Sequence, residues 1–146
     1  MVVYHATNIE NIYNILKYGL KTNFNSKNGW TAAGEWADQY YGKRPIYVSL
    51  DKYDGIQLEI NIDDGIYLFP DLPSLIDYGA YLVTGEGLYW EEGEEPEELI
   101  PFLQEGEISF DELLNNPLIA KAVINLTRTA AIYQDIPPEK ITVIMG

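Results

Sequence analysis

The chain of 146 residues contains no cysteine and a single histidine. The first absence excludes a disulfide framework, a thiol nucleophile and any thiolate metal site; the second excludes a histidine-rich metal centre, so no metal is expected. No stretch approaches eighteen consecutive apolar residues, and polar residues are interleaved from Met1 to Gly19, which leaves no spanning helix and no signal peptide to expect. The whole chain is therefore read as the mature protein. Its expected compartment is cytoplasmic, or a host's cytoplasm for a viral or effector-type protein, with no membrane partner. Basic side chains are missing altogether from residues 53–120, which hold seventeen acidic ones. Residues 1–52 carry six basic and four acidic side chains and residues 121–146 three and two, so the formal net charge of −14 belongs to the middle of the chain. A balance of this kind disfavours gripping nucleic acid or anionic lipid.

What is present suits one folded core: 47% of residues are hydrophobic, too many for a disordered chain. Val2 to His5 predicts a short strand that ends at Ala6-Thr7-Asn8, where a helix begins. Thr7 with Glu10 fits a capping box, and Asn8 is an equally good cap. Ile9, Ile12, Ile15 and Leu16 recur at helical spacing, and Gly19-Leu20 is a left-handed stop. A second short helix is expected from about Ala33 to Tyr41. Ile46 to Leu50 and the alternating Ile56 to Ile62 read as strands, the latter half-buried, joined as a hairpin across Asp51 to Gly55. Beyond them, Ile66 to Phe69 and Tyr81 to Val83 predict short strands, Leu72 to Tyr78 a helical turn, and Glu91 to Glu98 a solvated like-charge run. Asp111 to Leu114 and Pro117 to Asn125 read as helices, with Pro117 suited to a first turn. Thr129 to Ile136 and Ile141 to Met145 read as closing strands around Pro137-Pro138.

Any histidine chemistry must use His5, which sits at a strand end just before a helix N-terminus, a place that suits an anionic ligand. Tyr4-His5-Ala6-Thr7, the Ile12-Ile15-Leu16 helix and Gly19-Leu20 together resemble the opening of the ADP-ribosyltransferase superfamily. Gly29-Trp30-Thr31 followed by Glu35 to Tyr41 is similar to the strand and helix that come next in the poly(ADP-ribose) polymerase branch. Ile136-Pro137-Pro138-Glu139-Lys140-Ile141 is similar to the closing segment of small members. The resemblance covers about residues 2–62 and 126–145. It implies an α+β fold of split, twisted antiparallel sheets around an NAD cleft, with a core at about 1–65 and 121–146 and a helical acidic insertion at about 66–120. It also implies NAD as substrate: His5 on a ribose hydroxyl, the Ala6 backbone on the carboxamide, Thr7 on the adenosine ribose, and Trp30 or Tyr40 stacked on nicotinamide.

The family's carboxylate belongs around Thr129 to Ala131, where this sequence has none. Glu59, Glu86 and Asp135 are the alternatives, with Glu59 carried here as the catalytic candidate beside His5 and Tyr40. Each acid also has an ordinary reading as a surface residue. Arg128 is a candidate pyrophosphate contact, or a surface ion pair with the acidic segment. Three functions remain open: a mono-ADP-ribosyltransferase acting on a protein acceptor with a basic surface, an inactive binding module of the same fold, and an acidic decoy that blocks a nucleic-acid-binding partner. The fold is shared with RNA 2′-phosphotransferases, whose chemistry takes several arginines, and this chain has only Arg44 and Arg128. Nucleic acid as acceptor is disfavoured by charge, although Lys17, Lys21, Lys27, Lys43 and Arg44 offer a local basic path.

Overall fold

Strand β1 (Val2–Ala6) is the middle strand of a five-stranded sheet in the order β4-β2-β1-β3-β5, formed with β2 (Ile46–Ser49), β3 (Ile56–Asn61), β4 (Thr129–Ile132) and β5 (Ile141–Met145). In this computed structural model the described residues are 1–22, 45–63, 65–71, 75, 81, 85, 93–94 and 116–146. The second helix expected near Ala33 to Tyr41, the helix at Asp111 to Leu114, most of the Glu91 to Glu98 run and most of the elements expected from Leu72 to Val83 lie outside them. Among the described residues the α+β fold also has the helices α1 (Ile12–Tyr18) and α2 (Pro117–Thr127). No helix of the described residues is long and apolar enough to cross a membrane.

The chain divides into two compact units, residues 1–68 with 130–146, and residues 69–129. In the first, β1 pairs antiparallel with β2 on one side and with β3 on the other, and β3 pairs antiparallel with β5. The expected β2–β3 hairpin does not form, because β1 inserts between those strands. Alternation marks a half-buried strand but carries no information about its partner. The described strands also make one sheet, where the resemblance implies two.

The register runs Val3↔Ile60, Tyr4↔Glu59 and His5↔Leu58, then Leu58↔Val143 and Glu59↔Thr142. Residues directly opposite share a face, so Val3, His5, Leu58 and Ile60 lie on one side of the sheet and Tyr4, Gln57 and Glu59 on the other. Val3, Leu58 and Ile60 are fully buried, which makes theirs a core face. Gln57 is fully buried too, although the alternation placed it among the polar, outward positions. Its amide holds the turn before β3: Oε1 accepts from the Tyr53 N–H at 2.7 Å, and Nε2 donates to the Tyr53 and Gly55 carbonyls at 2.5 and 3.3 Å. A buried amide so fully engaged costs little, and the turn folds back over the strand.

Helix α1 does not start from the expected capping box. Asn8 leads into a 3-10 turn at Ile9–Asn11 and makes no side-chain cap bond, and α1 follows from Asn11, also uncapped. The helix is amphipathic only in part: Ile12 and Ile15 are half-buried, whereas Ile9, Tyr13 and Leu16 are exposed. Its end matches the sequence signal. Gly19 has φ +81° and ψ −174°, a conformation that only glycine tolerates, and a Cβ there would lie 2.1 Å from the Ile136 carbonyl oxygen. That close approach lets Leu20 and Ile136 exchange N–H to carbonyl hydrogen bonds at 2.9 and 2.8 Å. Beside it, Asp135 Oδ1 accepts from the backbone N–H and the hydroxyl of Thr22. The closing strand therefore stops at Ile132 rather than reaching Ile136. Nor is a strand formed at 66–69, where the loop is held by Gln134, which bonds Gly65 and Tyr67.

In the second unit, α2 begins with Pro117 in its first turn and Asn116 as its cap, the Asn116 side chain accepting from Leu118 and Ile119. Ile119, Ala122, Val123 and Ile124 are its buried residues. Arg128 closes the helix in the left-handed region at φ 58°, donating its N–H to the Ile124 carbonyl. Buried Asp71 accepts from the Thr129 hydroxyl at 2.6 Å.

Two outcomes test these roles by urea denaturation. Gly19→Ala is expected to lose about 2 to 3 kcal/mol, because it adds a backbone clash to a glycine-only conformation. Asn116→Ala is expected to lose about 1 kcal/mol, the usual cost of an N-cap.

Candidate functional site

His5 occupies the C-terminal end of β1, on the face it shares with Val3 and Leu58, and is partly buried there. Antiparallel register carries the β1–β2 pairing from Tyr4↔Ser49 toward Ala6 and Tyr47. At that step His5 Nδ1 lies 2.6 Å from the Tyr47 carbonyl oxygen. A carbonyl can only accept, so Nδ1 must carry the proton, and in the neutral ring Nε2 is left with a lone pair. No further hydrogen bond of the His5 ring is made among the described residues. Burial pushes the imidazole below its ordinary value of 6.5, and the Tyr47 carbonyl opposes that shift only in part. At neutral pH the site therefore presents an acceptor nitrogen without charge.

Next to this nitrogen the backbone turns. Ala6 is exposed, Thr7 and Asn8 are half-buried, and neither Thr7 nor Asn8 spends its side chain on capping the turn that follows. The residues expected to act as caps, which follow His5 in the chain, thus do not spend their side-chain oxygens on the helix. A hydroxylated or amide-bearing ligand has acceptor and donor groups to meet here.

The other proposed site residues fall out differently. Glu59 does not join His5: it stands opposite Tyr4, one register step away from Leu58, and so on the other face of the sheet. The register thus puts these two candidates on opposite faces of the sheet. Among the described strands Glu59 is the only acidic residue, and β4, where the family's acid belongs, reads Thr-Ala-Ala-Ile. Asp135 is engaged by Thr22, with the Lys21 ammonium 3.9 Å from its other oxygen, which gives it a structural occupation. Arg128 is exposed and belongs to the second unit, where its backbone closes α2. Trp30, Tyr40 and Glu86 lie outside the described residues, as do Lys27, Lys43 and Arg44. No group of three His, Asp or Glu side chains that could hold a metal ion occurs among the described residues.

Sequence reasoning found His5 but missed Tyr47, whose carbonyl selects the tautomer. No side-chain pattern could have disclosed it, since Tyr47 acts through its backbone.

The depressed histidine has a consequence for stability. The unfolded chain binds a proton at about pH 6.5 while folded His5 still resists it, so this contribution is complete above 6.5 and is lost as the pH falls from there toward the folded value. Urea midpoints measured between pH 7.5 and 5.5 are expected to fall more steeply for the native protein than for His5→Gln. The difference approaches at most about 1.4 kcal/mol per pH unit, the linkage of one proton. Equal slopes would show that His5 titrates normally. No family model, curated protein or solved structure matches the chain.

Proposed function

We propose that the protein binds NAD at the end of β1 and transfers a single ADP-ribose to an acceptor, as a mono-ADP-ribosyltransferase. The observation that carries this reading is the fixed tautomer of His5, whose Nδ1 is committed to Tyr47 so that neutral Nε2 can accept from a ribose hydroxyl. Ala6, an exposed residue next in the chain, is the position the resemblance gives to the carboxamide, and the Thr7 hydroxyl suits the second ribose. In the transfer, the bond between ribose C1′ and the nicotinamide nitrogen breaks and nicotinamide leaves with the electron pair. The acceptor's nucleophilic atom bonds to C1′ and releases its proton to solvent. Holding the carboxamide while that bond stretches favours the transition state over the bound substrate. A protein acceptor with a basic surface fits the charge of residues 69–129, which carry thirteen acidic and two basic side chains.

A second reading is favoured by the position of Glu59. With the only acid of the described strands on the face away from His5, the same site would bind NAD without transferring it. Calorimetric titration with NAD separates both readings from their failure: heat is expected from the native protein and not from His5→Ala, and no heat at millimolar NAD discards them together. Incubation with an alkyne-tagged NAD analogue and cell lysate then separates transfer from binding. Label on protein bands, lost in His5→Ala and kept in Glu59→Gln, supports the transferase. NAD binding without label supports the module.

A further inference from the structure

The two edges of the sheet differ. On one side β4 is deeply buried, with Ala130, Ala131 and Ile132 fully inaccessible to solvent. On the other, β5 pairs among the described strands with β3 alone, and Thr142 and Met145 are exposed. Its sequence, Ile141-Thr142-Val143-Ile144-Met145, has no charge, proline or glycine, and its register with β3 is unbroken by any bulge. Those are the devices by which exposed edges are normally blunted, and β5 has none of them.

The ladder shows which groups the edge leaves open. Gly55 and Gly146 exchange hydrogen bonds in both directions, at 2.8 and 3.5 Å. Alternation along an antiparallel pair then directs the backbone groups of Thr142 and Ile144 toward β3, and those of Ile141, Val143 and Met145 outward. Of the outward donors, the Ile141 N–H is already bonded to the Pro138 carbonyl at the end of the 3-10 turn Pro138–Lys140. Among the described residues the open donors are thus the N–H groups of Val143 and Met145, and the open acceptors include the carbonyls of Ile141 and Val143.

This set is self-complementary. With a two-fold axis at Val143, the two copies of Val143 exchange hydrogen bonds with each other, and each Met145 N–H meets the Ile141 carbonyl of the other chain. The Ile141 N–H, which would otherwise donate to the Met145 carbonyl of the other chain, is already spent on Pro138, so each end of the pairing keeps one hydrogen bond rather than two. We infer that β5 is a self-association edge, on which a second copy of this chain adds antiparallel to make a continuous ten-stranded sheet. An isologous contact of this kind closes on itself as a dimer. The negative charge of residues 69–129 lies off the strand and opposes association over a distance, so added salt tightens the dimer by screening. An edge contact is small, which puts its dissociation constant between about 1 μM and 1 mM.

Sedimentation equilibrium of the full chain over that concentration range, combined with amide hydrogen exchange, tests the inference. The mass is expected to rise from monomer to dimer with concentration and to rise further at higher salt. Exchange at Val143 and Met145 should slow as it does so, while Thr142 and Ile144 stay protected throughout. Val143→Pro removes an outward N–H, a place where an edge strand tolerates proline, and should leave a folded monomer. Met145→Pro, at an exposed position near the strand end, should do the same and decides the matter if the first variant does not fold. A chain that remains monomeric to 1 mM, a dimer that dissociates in salt, or a dimer that survives Met145→Pro would overturn it.

Discussion

The reciprocal hydrogen bonds between Leu20 and Ile136 bring together two segments that lie far apart in the chain, and Gly19 is what lets them approach. Any side chain at position 19 would occupy the space of the Ile136 carbonyl. With that contact made, Ile136 is fully buried, Asp135 is placed to receive Thr22, and Pro137 follows in an extended conformation that leads into the turn before β5. β5 then adds to β3, and β3 to β1. The beginning and the end of the sequence thus build one body, from which residues 69–129 depart and to which the chain returns.

Within that body, β1 has neighbours on both sides, and its last residues are where the sheet offers chemistry. An imidazole on a core face would be expensive to charge and wasteful to leave unbonded. The Tyr47 carbonyl resolves half of this by accepting from Nδ1. The other half is left as polarity: one nitrogen that can only accept while the ring is neutral. A lysine or arginine in the same position would offer donors to a phosphate. His5 instead offers a lone pair to a hydroxyl, which is why the ribose rather than the pyrophosphate is its natural partner in the proposed complex.

The features legible in the sequence were the ones encoded within a few residues. Pro117 announced the start of α2, Gly19-Leu20 the end of α1, and the alternation of Ile56 to Ile62 the existence of β3. What was not legible depended on contacts between distant residues. The hairpin between β2 and β3 was a local inference defeated by a strand from the N-terminus. Gln57 looked like a solvent-facing residue until the turn before it closed over the strand. The capping box failed for a different reason: Thr7 and Glu10 have the right spacing, but the chain enters its helix through a 3-10 turn, which changes the frame those side chains would need. For the site, residue type pointed to His5, whereas its pairing with Glu59 needed the register. Adjacent positions on neighbouring strands differ in face by one step, and a list of candidate acids does not contain that step.

Register also bears on where any rate enhancement would come from. In a glycosyl transfer the ribose gains positive charge as nicotinamide departs, and a carboxylate beside it would stabilise that charge directly. None stands on His5's face among the described strands. Transfer from this site must then draw on binding energy that is larger in the stretched state than in the ground state, supplied by the grip on carboxamide and ribose. The acidity of the chain does not substitute for the missing group. Residues 1–68 with 130–146 hold seven basic and ten acidic side chains, close to balance, and the excess sits in residues 69–129. Charge carried there is suited to selecting a basic partner over a distance, a task for which its position in the chain matters less than its sign.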